Sequence, residues 1–315
     1  MNGTSVMTAL ACLAFDRARR LARASSTITA LASDVLQGEA AHFDARIFEA
    51  KPHPGQALCA RWIREHLEYD PARGRTGRRV QDRYSIRCAP HVIGVLLDAL
   101  PPMRRMLEIE VNGANDNPLV DPETGDVLHG GNFYGGHVAF AMDGLKSVVA
   151  TVADLLDRQL ALLCHPGTNN GLPANLVART TPDRAAHHGY KAMQIAASAL
   201  TAEALKLTMP ASAFSRSTEC HNQDKVSMGT IAARDALRVL ELTERVAAIA
   251  LLATCQAVDI RGPGSCRART RAVHAEVRAR VGLDDADRRH DGDIEAAVEI
   301  LRRRAGSTLG EPGEP

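Results

Sequence analysis

The sequence predicts an all-α fold, an elongated bundle of long helices, and three observations carry that expectation. Apolar residues recur at helical spacing over several long stretches. Aromatic residues make up only 3% of the chain, and Ala, Leu and Val supply the hydrophobicity, so the helices should meet through small side chains. No alternating strand–helix pattern and no internal repeat interrupts this. A chain of 315 residues can bury a substantial core without disulfide or metal staples. The reading is one helical domain over residues 1–305 and a disordered tail over 306–315, where Gly and Pro accumulate.

The elements follow in order. Residues 5–36 read as a helix with Val6, Leu10, Leu13, Leu21, Ile28, Leu31 and Val35 at roughly helical steps and Gly38 as its stop. Within this helix Arg17, Arg19 and Arg20 read as the wet face. A loop from His42 to Gln56 leads to a short helix over Ala57 to Glu68, and the Gly- and Arg-rich stretch from Pro71 to Arg79 reads as a mobile linker. A helix from Pro90 to Val111 is expected to kink at Pro101-Pro102. Asp121 to Val127 is the one place for a small hairpin. The helix from His137 to Leu163 carries a seam of Val138, Met142, Leu145, Val149, Val152, Leu156, Leu160 and Leu163, stepping by fours and threes as in a bundle core. A second seam runs Tyr190, Met193, Ala197, Leu200, Ala204, Leu207 to a stop at Pro210. A third long helix, Lys225 to Ala257, is apolar on most sides, and residues 271–304 form a weaker helical pair.

Charge and cysteine content exclude several classes. With 38 basic and 37 acidic residues the formal charge is +1, which disfavours nucleic acid or an anionic membrane as the main partner. Seven scattered cysteines show no metal spacing and read as free thiols of a cytoplasmic protein. His53, His187 and His188 have no neighbours at metal-ligand spacing, so no metal is expected. No GxSxG elbow is present.

Four polar clusters lie at helix ends, where rigid scaffolds usually carry their sites. They are Asn2-Gly3-Thr4, Gln81 to Arg87, Gly130 to Gly136, and Glu219 to Asp224. In Gln81-Asp82-Arg83-Tyr84-Ser85-Ile86-Arg87, a helical turn puts Tyr84 and Arg87 on one side. A guanidinium grips a carboxylate with two parallel hydrogen bonds, a phenol adds a third, and Gln81 offers an amide that donates and accepts. This suits a small anionic ligand. Asp224 is positioned to cap the third long helix. Phe133, flanked by glycines, is either core filler or a site wall.

Taken together these clusters resemble the aromatic amino acid ammonia-lyases and aminomutases, over nearly the whole chain. The segments that carry the resemblance are Asn2-Gly3-Thr4, Pro52-His53-Pro54-Gly55-Gln56, Gln81-Asp82-x-Tyr84-Ser85-x-Arg87, Asp116-Asn117-Pro118, Gly130-Gly131-Asn132-Phe133, His221-Asn222-Gln223-Asp224, Val226-Ser227-Met228-Gly229 and Asp293-Ile294. The resemblance implies an electrophilic methylidene-imidazolone (MIO) cofactor made from an Ala-Ser-Gly tripeptide, and release of ammonia to give a trans-arylacrylate. It implies that Arg87 binds the substrate carboxylate, with Tyr84 and Gln81 shaping the site beside it. Asn2 would contact the carboxylate or the cofactor carbonyl, and Phe133 would pack beside the cofactor and ring. Glu219 and Gln223 would lie near the amine or ring. Tyr84 and Asn2 are the candidate catalytic residues; Arg87, Gln81, Phe133, Glu219 and Gln223 are the candidate substrate-binding residues. The family's sites combine three chains of a homotetramer.

The chain departs from the family pattern in lacking Ala-Ser-Gly; a hydroxyl or thiol residue precedes glycine only at Thr76-Gly77 and Thr124-Gly125. Arg83 stands where the family has a small residue or proline, and the mobile-loop tyrosine is missing. The expectation is therefore the C-terminal portion or subunit of a tyrosine or phenylalanine ammonia-lyase, partnered by a chain bearing the MIO half. An aromatic aminomutase and a non-catalytic scaffold subunit are the alternatives. A fumarase-type lyase is disfavoured, because Ser-Ser-x-Met-Pro-x-Lys is absent. The wording Glu219 to Asp224 leans towards tyrosine or phenylalanine over histidine.

Overall fold

The computed structural model describes residues 3–73 and 80–304. Asn2, the linker residues 74–79 and the tail 306–315 lie outside the described residues. The helices are α1 Ser5–Val35, α2 Ala45–Glu49, α3 Pro54–His66, α4 Tyr84–Arg87, α5 Ala89–Asn112, α6 Gly136–Cys164, α7 Lys191–Lys206, α8 Gly229–Arg261, α9 Ala268–Arg278 and α10 Asp291–Arg304. Among the described residues the only strands are β1 Leu119–Val120 and β2 Val127–Leu128, antiparallel with Leu119 opposite Leu128 and Val120 opposite Val127. The expected hairpin is there, with its strands just outside the turn Asp121 to Asp126.

All eight residues of the α6 seam are buried. On α1 the inward positions Ala11, Ala14, Ala18 and Ala22 are also buried. Small side chains at this spacing let helices approach closely, which explains why so few aromatics are needed. From Ser25 onward every residue of α1 is buried, so its last turns lie inside the bundle.

Helix direction decides where the polar clusters fall. Met7 of α1 lies where the starts of α6 and α8 converge: a Cβ on Gly135 would come within 2.1 Å of its Cε, and one on Gly229 within 2.0 Å of its Sδ. At the opposite end Arg261 of α8 donates to the Val35 carbonyl of α1 and to the carbonyls of Asn169 (2.9 Å) and Asn170 (3.0 Å), just past α6. Thus α1, α6 and α8 run parallel. The ends of α5 and α7 return to the Met7 end. The loop after α5 brings Asn115 beside Gly3. Beyond α7, Met209 O accepts from Lys146 Nζ at 2.9 Å, near the start of α6. α10 runs back along α8, from the Asp284 loop held by Gln256 (2.7 Å) to Arg302 on Glu244 (2.6 Å).

Several expectations are corrected. α3 begins at Pro54, a first-turn position that needs no N–H, rather than at Ala57. The preceding loop contains α2, started by Asp44 accepting from Arg46 N at 3.0 Å. Asp224 does not cap α8. α8 starts at Gly229, after Met228 in a left-handed conformation (φ 60°). Arg17 is not a solvated face residue, because it pairs with the buried Glu244 of α8 at 2.9 Å.

Candidate functional site

Residues 81–87 form a compact cationic cluster. Arg87 donates from Nε to the Asp82 carbonyl (3.1 Å) and from Nη2 to Gln81 Oε1 (3.1 Å), and its Cζ lies 4.6 Å from the centre of the Tyr84 ring. Gln81, Tyr84 and Arg87 are thus brought together as their spacing implies. No carboxylate pairs with Arg87 among the described residues. Nη1 and the second Nη2 hydrogen remain as a fork for a carboxylate. Tyr84 is 72% exposed and its hydroxyl is free to join such a ligand.

This one-turn helix holds its shape through groups behind it. Ile86 is buried, which turns Tyr84 and Arg87 outward. Gln159, in the buried stripe of α6, donates to the Ser85 carbonyl (2.8 Å) and to Thr29 Oγ1 of α1 (2.9 Å). Asp82 Oδ2 accepts from Glu39 N (2.7 Å), and Asp82 N donates to His42 Nε2 (3.0 Å). Gly38 allows that approach, since a Cβ there would lie 2.9 Å from Asp82 Oδ2 and 2.7 Å from Ser33 Oγ. Gln159, His42 and Gly38 carry no site role in the sequence reading. A visible signal existed for Gln159, an amide beside Leu160 in an apolar seam.

The other candidates sit at the opposite end of the bundle. Phe133 precedes α6 and is 36% exposed. Asn132 Nδ2 donates to Ala114 O (3.0 Å) and Gly130 N to Asn117 Oδ1 (2.8 Å), tying the two glycine- and asparagine-rich loops together. Glu219 and Gln223 are exposed in a tight turn before α8, closed by a bridge between Thr218 and Gln223. Glu219, Cys220 and His221 all take left-handed conformations, at φ 51°, 52° and 66°. Such conformations are costly for residues with a Cβ and persist where the surroundings enforce them. Gly3, next to Asn2, lies at this same end.

Gly136 and Gln159 are 23 residues apart on one helix, roughly 35 Å at 1.5 Å per residue. The Arg87 cluster and the Phe133–Gln223 cluster therefore do not meet within one chain. The cavity beside Asp82 and Ile86 holds about 10 Å³, far below the roughly 300 Å³ or more of ordinary ligand pockets. Among the described residues no group of three or more His, Cys, Asp or Glu is placed to hold a metal. His187 and His188 instead pair with Asp287, which joins their loop to the segment before α10. No described helix is long and apolar enough to cross a membrane.

A parallel core of α1, α6 and α8 with α5 and α7 returning between them is the fold class of the ammonia-lyases. Histidine ammonia-lyase from Trypanosoma cruzi matches it with a TM-score of 0.87 at 34% identity, over 97% of this chain and 57% of that one. Tyrosine aminomutase from Streptomyces globisporus matches with a TM-score of 0.87 at 34% identity, over 96% and 61%. A family model described as aromatic amino acid lyase matches residues 1–279, and the chain belongs to that family. Histidine ammonia-lyase from Geobacillus kaustophilus is 41% identical over 306 residues, which are 97% of this chain and 60% of the relative. The chain thus spans about three fifths of the length of that curated relative.

Proposed function

We propose that this chain supplies the substrate-carboxylate clamp and part of the pocket wall of an ammonia-lyase acting on an aromatic amino acid. Arg87 is the clamp, Gln81 holds its guanidinium in place, and Tyr84 flanks the bound substrate. Histidine is the first substrate to test, because histidine ammonia-lyase from G. kaustophilus is 41% identical. This replaces the lean towards tyrosine or phenylalanine drawn from Glu219 to Asp224. The single observation that carries the reading is the Arg87 fork, held by a carbonyl and an amide with no carboxylate of the described residues to neutralise it.

The family's cofactor, MIO, supplies an electrophile for the substrate amine. This chain offers no fitting source for it among the described residues. Thr124-Gly125 lies in an exposed hairpin turn, with Thr124 Oγ1 donating to Asp126 Oδ2 at 2.9 Å and open space around Gly125. We therefore assign the electrophile to another polypeptide segment. Within this chain, Phe133, Glu219 and Gln223 would wall a pocket completed by the Arg87 end of a second copy. The separation of the two clusters supports such an assembly. So do Leu13, Phe140 and Ile195, large apolar residues left 60%, 67% and 63% exposed on long helices. Light scattering of the purified chain should then give a mass above that of one copy.

Purify the 315-residue chain alone and together with the cofactor-bearing part of a histidine ammonia-lyase, and follow arylacrylate absorbance with histidine, phenylalanine and tyrosine in parallel. Turnover is expected only in the mixture and fastest with histidine. Turnover by the chain alone, or no gain on mixing, overturns the reading. In the active mixture Arg87→Ala should lower kcat/KM by roughly ten- to a hundred-fold, the equivalent of 1.5–3 kcal/mol for a charge-assisted contact. An unchanged rate would make the chain a scaffold. An aminomutase is the second reading, favoured by the match to tyrosine aminomutase at TM-score 0.87; a β-amino acid product would decide for it.

A further inference from the structure

A cavity of about 470 Å³ opens between α1, α8 and α10, alongside the first half of α8. Arg234, Arg238, Glu241 and Arg245 line it from α8 at steps of four, three and four, so they share one helix face. From Arg234 to Arg245 the stripe runs roughly 16 Å. Arg17 from α1 and Arg302 from α10 close the far side.

The carboxylates present do not match these guanidinium groups one to one. Buried Glu244 serves both Arg17 (2.9 Å) and Arg302 (2.6 Å). Glu241 serves both Arg238 and Arg245, each at 3.0 Å. Among the described residues, the five guanidiniums of Arg17, Arg234, Arg238, Arg245 and Arg302 thus meet four carboxylates, Glu203, Glu241, Glu244 and Glu295, and one positive charge is left over. The second partners, Glu203 of Arg238 and Glu295 of Arg245, stand 45% and 59% exposed at the rim, where water weakens their hold. Arg234 has no carboxylate partner among the described residues, yet it faces the same cavity. Packing of α8 against α10 does not call for this, because Leu237 and Val298 supply apolar contact beside the arginines.

We propose that this cavity is a binding site for a linear polyphosphate group, free or carried by a nucleoside triphosphate. Guanidinium forks match phosphate oxygens two at a time. A single phosphate reaches one arginine pair, whereas a chain of phosphates spans the stripe from Arg245 towards Arg234. The cavity volume falls in the range of about 300–1,000 Å³ typical of small-molecule sites.

Calorimetric titration of the 315-residue chain with sodium tripolyphosphate tests this, against orthophosphate at matched ionic strength. Tripolyphosphate should bind at one equivalent and about ten-fold or more tighter than orthophosphate. Arg234→Gln should weaken it about ten-fold while leaving helical circular dichroism unchanged, because that substitution breaks no ion pair. Arg238→Gln is the second variant and should act in the same direction. A titration with ATP separates the sources: tighter binding than tripolyphosphate assigns a nucleotide, and equal or weaker binding assigns the inorganic chain. If tripolyphosphate binds no better than orthophosphate, or Arg234→Gln leaves its affinity unchanged, the arginines are an ion-pair network and the proposal fails.

Discussion

The two ends of the bundle carry the same kinds of polar residue and treat them differently. At the end where α4 sits, Arg87 touches both Gln81 and Tyr84, and the turn is held from behind by Ile86, Gln159 and Asp82. At the Met7 end, Glu219 and Gln223 lie in a turn closed on its own backbone and Phe133 in a loop tied to a neighbouring loop, all three exposed to solvent. The first end is preorganised within one chain. The second presents groups whose partners lie elsewhere. A binding clamp gains from being built before its ligand arrives, whereas a wall shared with another chain takes its order from that contact.

Glycine substitutions separate the two ends most sharply. Gly38→Ala pushes a methyl against Ser33 Oγ and Asp82 Oδ2, at 2.7 and 2.9 Å. Asp82 cannot yield freely, since its carboxylate already accepts from Glu39 N. The variant should lose about 1–3 kcal/mol of stability in urea denaturation, as overpacking does. Gly131→Ala meets nothing within 4 Å and should change stability by less than about 0.5 kcal/mol. Equal effects would mean that the Arg87 end is no more tightly built than the other.

Gln159→Leu should follow in size. It keeps the side-chain volume but leaves the Ser85 carbonyl and the Thr29 hydroxyl without their donor. A loss of about 1–2 kcal/mol is expected. In the mixed enzyme KM should rise more than kcat falls, because the amide positions α4 and touches no reacting group. A fall in kcat alone would contradict a positioning role.

Local and periodic features were legible in the sequence. The α6 seam was readable because one helix repeats its buried face, and the Arg87 cluster because its members lie within seven residues. Contacts between distant segments were not. The packing of Gly38 against Asp82 joins residues 44 positions apart, and Arg17 finds Glu244 across 227. Nor does periodicity reveal helix direction, so the separation of Arg87 from Phe133 waited for the fold. The start of α8 escaped because Met228 takes a left-handed conformation that no propensity favours.

The weakest effect lies behind the clamp itself. His91 is half-buried on α5, its ring 5.4 Å from Phe48 and its Nδ1 without a protein partner. Burial lowers its pKa below the ordinary 6.5, and the positive charges of Lys51 and Arg87 lower it further. The unfolded chain therefore takes up the proton first as the solution is acidified. Stability from this group is complete above the ordinary value, falls as pH drops below it, and levels off once the folded-state value is passed. Comparing urea midpoints at roughly pH 7.5 and 5.5, the wild-type chain should lose more stability than His91→Gln. Arg87→Gln should also lose less than wild type, because one repelling charge is gone. Nothing comparable is expected from Phe133→Ala at the other end. Were Arg87→Gln to leave the pH dependence untouched, the guanidinium would have to lie further from the imidazole than the clamp geometry requires.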